Sequence, residues 1–166
     1  MITDYRYEFN YRMFKEKKSI KIFEKPADTE FCSFKGSIAV VIDVLRATST
    51  IINAIHNGCR GVVPVAEIER ALLLRQQYFA QKPLLCGERY GKKIDGFDLG
   101  NSPAEYQNEV VRDKVLILTT TNGTPALTAA QEAKVIYVLS LLNLETTVNQ
   151  VACLNEDINI ICAGTN

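Results

Sequence analysis

The feature that most constrains this chain is the stretch over residues 37–57, SIAVVIDVLRATSTIINAIHN. It opens on Ile38–Ile42, an apolar run too short for a helix and rich in β-branched residues. That is the composition of a strand buried on both faces inside a parallel sheet. Asp43 stands at its carboxyl end, Arg46 follows at the turn, and Ala47, Thr48 and Ser49 lead into a new apolar pattern. Ile51, Ile52, Ala54 and Ile55 have the spacing of the inner face of a helix, which Asn57-Gly58 ends. A buried strand that runs straight into a helix commits the chain to βα units. In open α/β sheets, ligands bind beyond the carboxyl ends of the strands, where helix N-termini offer unpaired N–H groups to anions.

The rest of the chain repeats the alternation. A short edge strand is expected at residues 19–23, ended by Lys25-Pro26, with further strands at 61–65, 83–86, Val115–Thr119, Val135–Leu139 and Ile158–Cys162. Helices are expected over 67–80, 124–133 and 143–154, the first with acidic residues in its opening turn. Residues 87–100 read as a glycine-punctuated loop. Ser102-Pro103-Ala104-Glu105 then carries the capping-box signature of a short helix. The pattern predicts an α/β fold with a mostly parallel, or mixed, sheet and helices on both faces, a three-layer α/β/α arrangement. Residues 1–36 form an N-terminal extension and edge strand in this reading, with no periodicity in the aromatic and charged residues 1–18; residues 37–166 form the α/β domain. Because the sequence stops directly after a strand, a further C-terminal part is expected.

Composition narrows the partners. Nineteen Lys+Arg balance nineteen Asp+Glu, so no global field draws the chain to nucleic acid or an anionic membrane. No apolar run approaches membrane-spanning length, and the charged, aromatic N-terminus is not a signal peptide, so the expected location is the cytoplasm. The five cysteines are scattered with no C-x-x-C pair, the pattern of buried reduced thiols. Edge strands and the aromatic arm would permit a homo-oligomer.

Three constellations return to one sheet edge. In the first, Asp43 is a candidate metal ligand, nucleophile or helix cap, and Arg46 with its hydroxyl neighbours suits a phosphate or carboxylate; an Asp43–Arg46 ion pair is the structural alternative. In the second, GERYGKKIDGFDLGNSP, Glu88, Asp95 and Asp98 offer oxygen ligands for a hard cation such as Mg²⁺, while Arg89, Lys92 and Lys93 offer cationic donors. In the third, TTTNGT over 119–124, hydroxyls and N–H groups meet a helix start, either as an N-cap with a turn or as an oxyanion cradle. No G-x-x-x-x-G-K-[ST], G-x-G-x-x-G, G-x-S-x-G or C-x5-R motif is present. The one histidine, His56, falls near a helix C-terminus, which excludes a His-based triad or a multi-histidine zinc site within these residues. Acid-, metal- and cation-based chemistry on an anionic substrate remains.

VIDVLRATS, GER through GFDLGNSP, and TTTNGT, in that order and spacing, resemble the 2-phosphosulfolactate phosphatase (ComB) family from about residue 37 onward. The resemblance implies an α/β Mg²⁺-dependent phosphohydrolase that cleaves 2-phospho-3-sulfolactate to 3-sulfolactate, a step toward coenzyme M. It implies Asp43, Arg46 and Glu88 as catalytic residues. Substrate contacts would come from Arg89, Lys92, Asn101, Ser102, Thr120, Thr121, Asn122, Gly123 and Thr124, and Mg²⁺ ligands from Asp43, Glu88, Asp95 and Asp98. Tyr90 stands where the family motif has glycine, and family members continue past the Ala163-Gly164-Thr165 strand end. The competing expectation is a binding module of the same fold that holds a small phosphorylated or sulfonated acid without hydrolysing it.

Overall fold

The computed structural model describes residues 18–163, so the expectations for the aromatic arm and for Gly164, Thr165 and Asn166 lie outside the described residues. Along the chain run β1 (Ile20–Phe23), β2 (Ile38–Ile42), α1 (Ala47–His56), β3 (Gly61–Pro64), α2 (Ile68–Gln77), β4 (Leu84–Arg89), β5 (Lys92–Lys93), α3 (Asn108–Val111), β6 (Val115–Thr119), α4 (Gly123–Ala129), β7 (Val135–Leu139), α5 (Leu144–Ala152) and β8 (Ile158–Cys162). The expected mostly parallel α/β class is what forms, but its strands divide between two four-stranded sheets. One has the order β1-β8-β2-β7 and is parallel throughout; the other has the order β3-β6-β4-β5, with only β5 antiparallel.

The alternation of side chains along the strands explains the layering. Ala39 and Val41 of β2 share a core with Ile51 and Ala54 of α1, with Ala126 and Leu127 of α4 and with Ala130 at its C-cap; Cys86 of β4 and Leu116 and Leu118 of β6 close that core from the other sheet. Ile38 and Val40 point the opposite way, onto Val151 of α5. Leu85 and Ile117 point outward from the second sheet onto Ala71 and Leu74 of α2. Helices α1 and α4 therefore lie between the sheets, while α5 and α2 cover the outer faces. Each sheet is the centre of an α/β/α stack, and the two stacks share one helical layer. Every aliphatic side chain fully buried in these layers contributes about 1.5–3 kcal/mol relative to exposure.

Local chemistry places the helix that matters most. Helix α1 stops at Asn57 because Gly58, at φ +83°, turns the chain into the left-handed region. Its N–H donates to the Ile55 carbonyl (3.0 Å), and the Cys59 N–H donates to Ala54 (3.0 Å), the paired closure of a Schellman motif. The Leu45–Arg46 peptide just before α1 is cis. At the carboxyl edge, the Thr48 hydroxyl accepts the Asp43 N–H (3.0 Å) and lies within hydrogen-bond reach of the Asp43 and Leu139 carbonyls (2.7 and 2.8 Å), tying β2 to β7 where both strands end.

Residues 87–100 correct one expectation. Strand β4 does not stop at Cys86 but continues through Gly87 to Arg89 and folds back on β5. A Cβ at position 87 would collide with the Thr119 carbonyl of neighbouring β6, so this glycine belongs to a close strand contact. The hairpin turns at Tyr90 (φ +54°) and Gly91 (φ +78°), both in the left-handed region that a two-residue primed turn demands. The cysteines are all free thiols; Cys86 is buried, Cys59 and Cys162 are half-buried, and Cys32 and Cys153 are exposed, which departs from a uniformly buried set. Among the described residues no helix is long and apolar enough to cross a membrane.

Candidate active site

The carboxyl ends of β2, β4 and β6 meet where α1 and α4 begin, and Gly123 is the point of closest approach. A Cβ on Gly123 would overlap the Ala47 Cβ and would stand 2.7 Å from the Asp43 carboxylate and 3.2 Å from the Thr120 hydroxyl. Only glycine lets the first turn of α4 close on the first turn of α1, and this brings the first and third constellations together. The Asp43 carboxylate, half-buried in that junction, also draws on the N–H groups of Arg46 and Ala47. Burial pushes its carboxyl up, and the Glu88 charge adds to the rise, against the lowering by those N–H groups and the Arg46 charge. The N-cap of α1 is Arg46, so Asp43 stands before the cap and accepts N–H groups from the cap and the first helical residue.

Arg46 does not close an ion pair on Asp43 among the described residues. Its Nη2 instead donates to the Gly91 carbonyl (3.3 Å), reaching across to the tip of the β4–β5 hairpin. Glu88, 7% exposed, faces the same hairpin from below. Its Oε2 accepts the Gly91 N–H (2.7 Å) and the Thr121 hydroxyl (3.2 Å), and its Oε1 accepts the Thr121 N–H (2.8 Å). The Tyr90 N–H closes the ring by donating to the Thr121 hydroxyl (3.2 Å). Burial would raise the Glu88 carboxyl, but the Thr121 and Gly91 donors and the Arg46 charge outweigh it and hold the group below the usual carboxylate range.

The remaining expected residues divide by where the fold puts them. Arg89 spends its guanidinium on the Ala66 and Glu88 carbonyls and the Thr119 hydroxyl (2.8 Å each), pinning the segment before α2 to the ends of β4 and β6. Thr120 and Thr124 satisfy one another: each hydroxyl accepts the other's N–H, at 3.0 and 2.9 Å, and so they shape the start of α4. Asn122 is half-buried at the N-cap of α4, and Lys92 is exposed on β5. Asn101 is buried; its carbonyl accepts the Thr50 hydroxyl of α1 (3.1 Å), and its Oδ1 has no partner among the described residues. Ser102 opens the expected short helix, a 3-10 helix over Pro103–Glu105 with its capping box; the N–H groups of Ser102 and Gly100 donate to the Glu105 carboxylate.

The four expected metal ligands do not converge. Asp98 accepts the Leu85 N–H (2.8 Å) and pairs with Arg75 of α2 (3.0 Å), and Asp95 is exposed in the turn before it. Among the described residues no three His, Cys, Asp or Glu side chains form a metal-binding group. What fits Mg²⁺ is a smaller donor set. Mg²⁺ takes one or two carboxylates together with substrate phosphate oxygens, and half-buried Asp43, packed against Gly123, is a carboxylate that would fit such a set. The sequence reading missed Gly91, whose N–H meets Glu88 and whose carbonyl meets Arg46. The Tyr-Gly pair gave little signal, because it is flanked by Glu88-Arg89 and Lys92-Lys93, residue types that do not favour strands. A cavity of about 380 Å³ lined by Val63, Leu74, Tyr78 and Val115 lies at the opposite, amino-terminal edge of the second sheet, away from these groups.

Fold and edge together define a layered α/β protein with a half-buried carboxylate, a guanidinium and two helix starts gathered at one sheet edge. The family profile described as 2-phosphosulpholactate phosphatase matches residues 23–166, and the chain belongs to that family. It is 49% identical over 131 residues (79% of this chain, 55% of the relative) to a protein of Clostridium acetobutylicum named "Probable 2-phosphosulfolactate phosphatase". Proteins of the same name from Thermotoga petrophila and Clostridium novyi are 50% identical over 128 residues and 43% identical over 147 residues, covering 77% and 89% of this chain and 54% and 62% of theirs. The chain thus spans little more than half the length of these relatives.

Proposed function

We propose that this site hydrolyses the phosphate ester of 2-phospho-3-sulfolactate, with Mg²⁺ as cofactor, as a step toward coenzyme M. The observation that supports this most directly is the junction at Gly123, which packs the Asp43 carboxylate against the starts of α1 and α4, with Arg46 at the N-cap of α1. The substrate carries phosphate, sulfonate and carboxylate groups, and the junction supplies complementary groups. The Arg46 guanidinium suits the planar face of a phosphoryl group. The Asn122 amide at the N-cap of α4 offers a donor to the other oxyanions, since the N–H groups of Arg46, Ala47 and Thr124 are taken up by Asp43 and Thr120. Lys92 adds positive charge at the rim. Mg²⁺, held by Asp43 and a phosphate oxygen, would supply charge neutralisation as the phosphoryl group transfers. Water adds to phosphorus and the bond to the C2 ester oxygen breaks. That oxygen leaves protonated as the hydroxyl of 3-sulfolactate, with inorganic phosphate as the second product. Arg46 sits where charge accumulates on the transferring group, so it binds the transition state more tightly than the ester.

The test is phosphate release from 2-phosphosulfolactate with Mg²⁺ and with EDTA. The reading expects release that EDTA abolishes. Binding of the substrate without any release would instead support the binding module.

A further inference from the structure

Glu88 was expected as a catalytic residue and Mg²⁺ ligand, and its surroundings are those of a carboxylate already engaged by protein donors. Both oxygens are engaged by donors from two different loops, Gly91 at the hairpin tip and Thr121 before α4. A carboxylate has about four acceptor sites, and here the Gly91 N–H, the Thr121 N–H and the Thr121 hydroxyl occupy most of them. The same Gly91 that donates to Glu88 turns its carbonyl to Arg46. Glu88, Gly91 and Arg46 therefore form a chain of contacts from the buried end of β4 to the guanidinium.

We propose that Glu88 is a positioning residue: it clamps the β4–β5 hairpin tip to the loop before α4 and, through the Gly91 carbonyl, aims the Arg46 guanidinium across the site from Asp43. Charged acceptors make shorter and stronger hydrogen bonds than neutral ones, so a buried carboxylate suits a clamp whose partners are backbone N–H groups. Arg89 reinforces the same strand end from the other side, with its guanidinium on Ala66 and Thr119. The side chain that touches substrate is then Arg46, and Glu88 acts through it.

The kinetic arm of the test rests on the phosphatase reading; the structural arm does not. Glu88→Gln keeps the shape but replaces one oxygen with an NH₂ group, which must face an N–H donor, so one side of the clamp opens. Exchange of the Gly91 and Thr121 amides with deuterated water is expected to speed up by about tenfold or more in E88Q. In phosphate release, E88Q is expected to lower kcat/KM by about tenfold to a hundredfold, with both limbs of the pH profile and the Mg²⁺ concentration for half-maximal rate unchanged. In an R46A background, E88Q should add little further loss, because it acts through the group already removed. Thr121→Ala removes one donor to the clamp and should give a weaker effect of the same kind, so the proposal stays testable if E88Q folds poorly. Fully additive losses, loss of a pH limb, a tenfold higher Mg²⁺ requirement or unchanged amide exchange would each overturn the proposal. If the wild-type chain releases no phosphate, the functional reading falls and the amide exchange alone decides the clamp.

Discussion

Gly123 carries more of the site than any charged residue beside it. With Ala47 and the Asp43 carboxylate both inside the space a Cβ would need, Gly123→Ala must push α4 away from α1. Overpacking of this kind costs about 1–3 kcal/mol, and the loss should appear as a lower urea midpoint at an unchanged slope. Glu88 gives a prediction with a definite sign. Its carboxyl is held below its ordinary value in the fold, so its contribution to stability is complete above the unfolded-state pKa and is lost as pH falls through the folded one. Acid unfolding followed by circular dichroism should therefore begin at higher pH in E88Q than in the wild type. The thiols offer a simpler check. Cys86 is buried and pushed up to about 12, whereas Cys32 and Cys153 are exposed. A thiol reagent should label Cys32 and Cys153 in the native protein and reach Cys86 only after unfolding.

At the scale of elements, the β4–β5 hairpin is the part the sequence hid. Gly87 and Gly91 looked like loop punctuation because glycine marks both flexible loops and close backbone contacts. The contact that makes Gly87 a strand residue comes from Thr119, far along the chain. Tyr90 was visible as an oddity, and the structure supplies the reason: it occupies a left-handed turn position while almost fully exposed at 92%. Left-handed backbone costs a side-chain-bearing residue about 1–2 kcal/mol, and glycine returns about 0.5–1 kcal/mol of that through the freer unfolded chain. Tyr90→Gly should consequently raise stability by about 0.5–1 kcal/mol in denaturant titration. Strands β2, β6, β7 and β8 were fully legible, because continuous β-branched runs bounded by polar turns have few other ways to fold. Helix α4 was expected to run to residue 133 but ends at Ala129, since alanine-rich periodicity does not mark a stop.

For the whole molecule, alternation of strand and helix announced the class but not the division into two sheets. Periodicity records which face of a strand is buried, not which strand lies beside it. Strand order follows from long-range packing, as when Ala39 and Val41 meet Leu116 and Leu118 across the shared helices. The same limit explains the metal ligands. Asp43 and Asp98 both looked like carboxylates at one edge, yet Asp98 reaches back along β4 to Leu85 and out to Arg75. The candidate site was read as three segments, and their meeting point depended on a close approach at Gly123 that only three dimensions reveal.

The measurement that tests this account most directly compares phosphate release from 2-phosphosulfolactate by Asp43→Asn and Asp98→Asn in the presence of Mg²⁺. The proposed function puts Asp43 at the reacting centre, and Asp98 is paired to Arg75, so D43N should lose about 10²–10⁴-fold in kcat/KM, while D98N stays within about tenfold of wild type. Near-normal turnover by D43N, or a loss in D98N that matches it, would contradict the placement of the site.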